Sequence, residues 1–201
     1  MPSRVPPTVA EAITANHHTN PSLMSEFSES YHLRSEHAED ATELLRRAKR
    51  KGYVFKPTNG WVTFLADDGC FKPERQIVTN SQHPLLHFFS AEDHGWSFTL
   101  FYEGKPVSAY SCEWDPGISV NDAKYSRDAI LRVIPSVDTI LLDDFEAEMR
   151  PAGYDDLIGS EVSKTFARAM GLEHFDWVAY HYVERDFRFS RERRPDVLVV
   201  S

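Results

Sequence analysis

Nine histidines are the residues of this 201-residue chain best suited to acid–base or metal chemistry. His83 and His87 are four positions apart, but Pro84 and the β-prone residues 85–89 predict a strand rather than a helix. On a strand, four positions separate two side chains by about 13 Å, which is too far for one metal ion. We therefore expect no metal site at this pair.

A second group of titratable residues lies in a predicted hairpin loop. Glu92, Asp93 and His94 are consecutive there and carry the groups that acid–base catalysis or metal binding uses. They could equally be solvated residues of a turn, and the sequence favours that interpretation. Only the tertiary fold could bring His87, Cys112 or His181 to this loop. A small hydrolase or metalloprotein is thus an alternative function, with a candidate cluster formed by His87, Glu92, Asp93, His94, Cys112 and His181.

Cys112 could act as a nucleophile, but its sequence neighbours argue against this role. A catalytic thiol needs a group that stabilises the thiolate. Tyr110 and Trp114 share its face of a predicted strand, and in such surroundings a cysteine usually acts as a small buried hydrophobic residue. The sequence also has no Gly-x-Ser-x-Gly, His-Glu-x-x-His, phosphate-loop or EF-hand motif. We expect no cofactor and no resident metal, and a non-enzymatic role is favoured.

The negative charge of the chain is concentrated in one region. The chain has 31 acidic and 22 basic residues, a net charge of -9, and residues 121–186 hold 14 acidic and 7 basic residues. Such a region repels nucleic acid and attracts basic proteins. The leading hypothesis is therefore a module that binds a basic protein, although a solvated helix face is the simpler explanation. The candidate binding residues are Asp143, Asp144, Glu146, Glu148, Asp155 and Asp156.

Composition also bears on the compartment. No apolar run approaches the roughly 20 residues that cross a bilayer, and the N-terminus carries no apolar signal-peptide core. The two cysteines, Cys70 and Cys112, are too few for a disulfide framework. These features predict a cytoplasmic protein without a membrane partner.

The elements that must position these residues begin after a proline-rich stretch. Residues 1–22 have few large apolar side chains and are predicted to form a disordered or mobile tail. Ser35 is a plausible N-cap of a helix with acids in its first turns and bases in its last turns. Gly52 stands where that helix is expected to end.

Strands and turns alternate in the next part of the chain. Asn59-Gly60 predicts a hairpin into a strand at residues 61–66, and Glu103-Gly104 predicts a second hairpin between residues 96–102 and 105–114. Residues 76–79 are expected to form a weaker strand and residues 85–90 a stronger one. One face of the second hairpin is aromatic and needs a cover. A pocket for a small apolar ligand under that cover is a third possible function.

Three helical segments after Asn121 can supply the cover. Ser136 or Asp138 can cap a helix whose apolar stripe includes Ile140 and Phe145. A final strand is predicted at residues 175–183, with apolar side chains on both faces and hence a central position.

These elements predict an α+β fold. Its antiparallel β-meander has about 5–7 strands and is covered on one face by 3–4 helices. Residues 23–186 are expected to form a single domain, and residues 187–201 a basic C-terminal tail or edge strand.

Residues 60–114 carry a family resemblance. The Asn-Gly-Trp segment, the Asp93-His94-Gly95-Trp96 turn and the strand, Glu-Gly-Lys turn and strand that follow resemble those of small bacterial α+β proteins of unknown function. Some of those relatives resemble the immunity proteins that neutralise toxins. The resemblance covers about a quarter of the chain and carries no catalytic residues. It implies a cytoplasmic bacterial protein.

Overall fold

A computed structural model describes residues 27–67, 71–157, 160–189 and 196–201. These residues form an α+β fold with one open antiparallel sheet of eight strands and with seven helices. The strands are β1 (Phe27–Arg34), β2 (Gly52–Phe55), β3 (Trp61–Ala66), β4 (Leu85–Ala91), β5 (Gly95–Tyr102), β6 (Lys105–Glu113), β7 (Ser119–Asn121) and β8 (Val197–Val200). The helices are α1 (Ala38–Ala48), α2 (Arg75–Asn80), α3 (Arg127–Val133), α4 (Thr139–Glu148), α5 (Tyr154–Leu157), α6 (Val162–Ala169) and α7 (Tyr180–Phe189). The predicted tail at residues 1–22 lies outside the described residues, and so does Cys70.

The sheet has the spatial order β7-β6-β5-β4-β1-β3-β2-β8, so β1 lies near its centre. The sequence prediction contained no strand at these residues, and the prediction of 5–7 strands was therefore too low. Tyr31 and Leu33 are buried on one face of β1, and Ser30 and His32 are buried on the other. Polar side chains on one face are typical of a strand that faces solvent. The pattern of these residues therefore did not indicate a strand that is buried on both faces.

Two predicted strands are wrong. Residues 76–79 lie in α2, where the Glu74 carboxylate accepts a hydrogen bond from the Ile77 backbone N–H over 3.0 Å. Residues 175–179 have no regular structure, and α7 begins at Tyr180. The Val183 N–H donates to the Ala179 carbonyl oxygen, and these two apolar residues are one helical turn apart. Over so few residues, a helical period and a two-sided apolar strand give the same pattern.

Helices pack on both faces of the sheet, which corrects the prediction of 3–4 helices on one face. We call the face with Tyr31 and Phe64 the front face; α1 and α2 pack there through Leu45 and Ile77. The opposite face is the back face. The back face of β4–β6 is covered by α3, α4 and α6, and Val178 and Val183 pack against Tyr53 and Leu65 near β2.

Both predicted turns are confirmed. Asn59 and Gly60 have φ angles of 55° and 78°, and Glu103 and Gly104 have 51° and 70°. Two consecutive positive φ values are typical of the tight hairpin turn that matches the twist of paired strands. The φ angle of 78° at Gly60 strains residues with a Cβ atom, so this position favours glycine.

The predicted helix ends are confirmed in part. Asp138 caps α4, and its Oδ1 atom accepts hydrogen bonds from the backbone N–H groups of Ile140 and Leu141. The N-cap of α1 is His37 rather than Ser35, whose Oγ atom accepts a hydrogen bond from the His37 N–H. That helix ends at Ala48, four residues before Gly52.

The back face of the central hairpin holds the main aromatic core. The rings of Phe98 and Phe166 stack with centroids 3.9 Å apart, and Trp96 contacts Tyr110 and Phe145. Trp96, Phe98 and Tyr110 are therefore core residues, whereas Tyr102 at the end of β5 is exposed. Within the described parts of the chain, no helix combines the length and the apolar character that crossing a bilayer requires.

Candidate functional site

The six predicted acidic residues lie along α4 and α5, on the outer side of the back-face helices. Glu146 is half-buried and the other five are exposed. Arg127 from α3 neutralises part of this charge, since its Nη1 atom lies 2.7 Å from the Asp143 Oδ1 atom and 2.7 Å from the Glu146 Oε2 atom. The Tyr125 hydroxyl also donates a hydrogen bond to Glu146.

The remaining acids of this surface are not paired with bases. Asp144, Glu148 and Asp155 have no ion-pair partner among the described residues. The Asp156 Oδ2 atom accepts a hydrogen bond from the Ala152 backbone N–H over 2.8 Å. Positions 127–161 hold nine acidic and three basic residues. This surface therefore keeps a local negative potential.

An exposed apolar side chain lies within the acidic surface. Ile140 was predicted to belong to the buried stripe of α4, but it is 72% exposed, and α4 is buried through Leu142 and Phe145. Helical spacing places Ile140 beside Asp143 and Asp144. Ile140 therefore adds exposed apolar area to the N-terminal part of the acidic surface.

A groove adjoins the same surface. It has a volume of about 620 Å³ and is lined by Glu148, Asp156, Glu161 and Arg150, together with residues of α6. Three carboxylates against one guanidinium make this groove acidic, and its volume falls within the range of known ligand clefts.

The alternative cluster does not form one site. Cys112 is buried on the back face against the aromatic core, where burial raises the pKa of its thiol. His87 lies on the front face, so the sheet separates it from Cys112. Glu92, Asp93 and His94 are exposed in the turn between β4 and β5, and the His94 Nδ1 atom lies 3.4 Å from Asp115. The thiol and the histidines therefore cannot act together.

Two of the predicted histidines do approach a common acid. The buried His87 Nε2 atom lies 3.3 Å from the Glu29 Oε1 atom, and Glu29 and His181 line the same crevice of about 70 Å³. Partial burial and the charge of Arg185 lower the pKa of His181, whereas Glu29 acts in the opposite direction. Glu29 was missed because β1 was not predicted.

A second buried histidine was also missed. The ring nitrogens of His32 lie 2.9 Å from the Ser30 Oγ atom and 3.0 Å from the Thr63 Oγ1 atom. Burial, followed by the charges of His174 and His87, lowers the pKa of His32 to about 3. His32, Ser30 and Thr63 are all buried, so this arrangement is a structural hydrogen-bond network rather than an accessible nucleophile.

The front face has a further open groove over β5 and β6. Its volume is about 490 Å³, its floor includes Ser97, Thr99 and Ser111, and Phe71 and Phe89 lie beside it. Hydroxyl groups and phenylalanine rings both line this groove, and it lies on the front face of β5 and β6 rather than under the helices that cover their back face.

Among the described residues, no group of three or more His, Cys, Asp or Glu side chains is arranged to hold a metal ion.

Comparison of the chain with protein-family models, with curated proteins and with solved structures gives no match.

Proposed function

We propose that the chain is a protein-binding module that recognises a basic amphipathic segment of a partner through α4 and α5. The observation that carries the proposal is Ile140, which is 72% exposed and lies one helical turn from Asp143 and Asp144. Protein interfaces combine a few apolar anchors with a polar rim, and complementary charge accelerates and orients the encounter.

Other parts of the α4–α5 surface support the same partner chemistry. The exposed Tyr154 ring is held in place because its hydroxyl donates to the Trp114 carbonyl oxygen over 2.9 Å. Tyrosine is a frequent anchor at interfaces because it has few rotatable bonds and a polar end. The groove beside Glu148 and Asp156 has the charge to accept a lysine or arginine side chain.

A defined peptide tests the proposal. The probe is a fluorescent helical peptide with leucines on one face and lysines on the other, and its Kd is measured by anisotropy at low and moderate salt. The variant Asp144→Asn/Glu148→Gln/Asp155→Asn removes three unpaired charges. At about 0.5 kcal/mol per exposed pair, the Kd should rise about tenfold. Ile140→Ala should weaken binding at both salt concentrations, because it removes an apolar contact.

The matched control is Glu36→Gln/Glu39→Gln/Glu43→Gln, which removes three exposed charges from the front-face side. It should leave the Kd within about twofold of the original value, since charges beyond about 10 Å are screened. If the control weakens binding as much as the α4–α5 variant, the peptide senses only net charge and the proposal fails. The proposal also fails if Ile140→Ala has no effect.

A narrower form of the proposal follows from the resemblance of residues 60–114. In that form the partner is a basic toxin domain, which the chain neutralises in the bacterial cytoplasm. A neighbouring gene should then encode a basic protein whose toxicity the chain suppresses. Suppression that persists with the Asp144→Asn/Glu148→Gln/Asp155→Asn and Ile140→Ala changes combined would contradict this form.

A further inference from the structure

A break in the sheet creates a crevice between β1 and β3. The pairing of β1 with β3 starts at Tyr31 and Phe64. On the N-terminal side of Tyr31, β1 forms hydrogen bonds with the segment before α7 instead. The Glu29 N–H donates to the Val178 carbonyl oxygen over 2.9 Å, and the Val178 N–H donates to the Ser28 Oγ atom over 3.3 Å. The crevice therefore has walls from three separate parts of the chain.

A buried carboxylate lies in this crevice. Glu29 is 8% exposed, and its Oε1 atom accepts a hydrogen bond from the His87 Nε2–H group at 3.3 Å. The second carboxylate oxygen accepts no hydrogen bond from the described residues, and it is not fully buried, so it reaches solvent. His87 compensates one oxygen of this carboxylate, and the negative charge beside the second oxygen attracts a cation or a donor group.

The other walls are mostly rings and small apolar side chains. The Phe27 ring lies 5.6 Å from the Phe71 ring and 4.7 Å from the His181 ring, measured between centroids. The residues that line the crevice are Phe27, Glu29, Ala66, Phe71, Ala179, Tyr180 and His181. Aromatic rings attract organic cations through the negative potential of their faces.

From these walls and this carboxylate we infer that the crevice binds a methylated ammonium group. Its volume is about 70 Å³, compared with roughly 30 Å³ for one water molecule in the liquid, so it has room for a small head group rather than for a whole ligand. A primary ammonium needs acceptors for its three N–H groups, whereas a methylated ammonium needs none and is matched by the rings and the carboxylate that line the crevice.

A metal ion does not fit the same site. Hard cations require several oxygen ligands, and no group of three ligating side chains occurs among the described residues. The crevice also shares no residue with the acidic surface of α4 and α5. This inference is therefore independent of the proposed protein-binding function.

The test compares choline with 3,3-dimethyl-1-butanol, in which carbon replaces the nitrogen. Each compound is titrated into the full chain, and binding is followed by NMR on amides near Phe27 and Ala179. Choline should bind with a millimolar Kd, and the neutral isostere should bind at least about tenfold more weakly. Ethanolamine should also bind more weakly, because its ammonium must give up water at three N–H groups and has no methyl groups to contact the rings. Equal affinity for choline and its isostere, or no binding of choline, would overturn the inference, and tighter binding of ethanolamine would overturn its assignment to methylated ammonium.

Two variants sharpen the test. Glu29→Gln should abolish choline binding while the fold, checked by circular dichroism, persists. If Glu29→Gln does not fold, Phe71→Ala decides the outcome alone, because this ring is half exposed and its removal does not open the core. Phe71→Ala should weaken choline at least about fivefold, whereas the control Tyr102→Ala, an exposed aromatic residue outside the crevice, should have no effect. Unchanged choline affinity in a folded Glu29→Gln or in Phe71→Ala contradicts the inference.

Discussion

Acidification should destabilise the protein well above the pH at which its carboxylates titrate, because His32 is buried in its neutral form. The pKa of His32 falls from 6.5 to about 3 in the folded protein. The unfolded chain therefore binds one more proton than the folded chain between these values, and stability is lost as the pH falls. The full contribution is present above pH 6.5 and disappears toward pH 3.

The size of the effect follows from proton linkage. With these two pKa values, the free energy of unfolding should fall by about 2 kcal/mol between pH 7 and pH 5, and at about 1.4 kcal/mol per pH unit below this range. The measurement is urea unfolding at half-unit pH steps between 7 and 5. Carboxylates contribute little there, because their ordinary pKa values are about 4.

The substitution His32→Gln isolates the contribution of this one residue. The amide can still bond to Ser30 and Thr63, but it does not titrate. The variant should therefore lose about 2 kcal/mol of the pH dependence between pH 7 and 5, whatever its absolute stability. His94→Gln, at an exposed histidine, should keep the full dependence. Equal pH dependence in the original protein and in His32→Gln would refute the reasoning.

Three further predictions concern stability and reactivity. Phe166→Ala should lower the free energy of unfolding by about 3–5 kcal/mol in urea, because its fully buried ring stacks on Phe98; a loss below 1 kcal/mol would contradict the packing. Gly95→Ala should cost more than about 2 kcal/mol, since its φ is 142° and a Cβ would lie 2.3 Å from the Cys112 carbonyl oxygen. Gly117→Ala, with no atom within 4 Å of the new Cβ, should be nearly neutral in the same assay. In a Cys70→Ser background, a thiol reagent at pH 8 should modify Cys112 only as fast as the protein unfolds, because burial raises the pKa of this thiol; fast labelling of the folded protein would show that the thiol is accessible.

Local chemistry made much of the central hairpin predictable. The two tight turns have positive φ angles at Asn59-Gly60 and Glu103-Gly104. Asparagine and glycine tolerate such angles, so the turns are encoded in their own residues. Asp138 caps α4 through its own side chain, and this interaction needs no distant residue. Strand alternation likewise placed Trp96 and Phe98 on the face that needs a cover.

The candidate sites depended on contacts that local patterns do not contain. Glu29 contacts His87, which is 58 positions away in the sequence, because β1 lies between β4 and β3 in the sheet. Ile140 had the spacing of a buried residue, but the neighbouring helices leave it outside the core. The acidic residues were found from composition, whereas their division into paired and unpaired groups depends on where Arg127 lies.

By itself the sequence determined the α+β class, the two tight turns, the aromatic face of the hairpin and the local excess of acidic residues. Each of these follows from side chains that are neighbours along the chain or share one period. The tertiary structure alone decided that helices cover both faces, that β1 is central and that Glu29, His87 and His181 meet at the break in the sheet. The physical reason is that strand order and burial depend on packing between segments that are far apart in the sequence. Propensity and periodicity describe only a single segment.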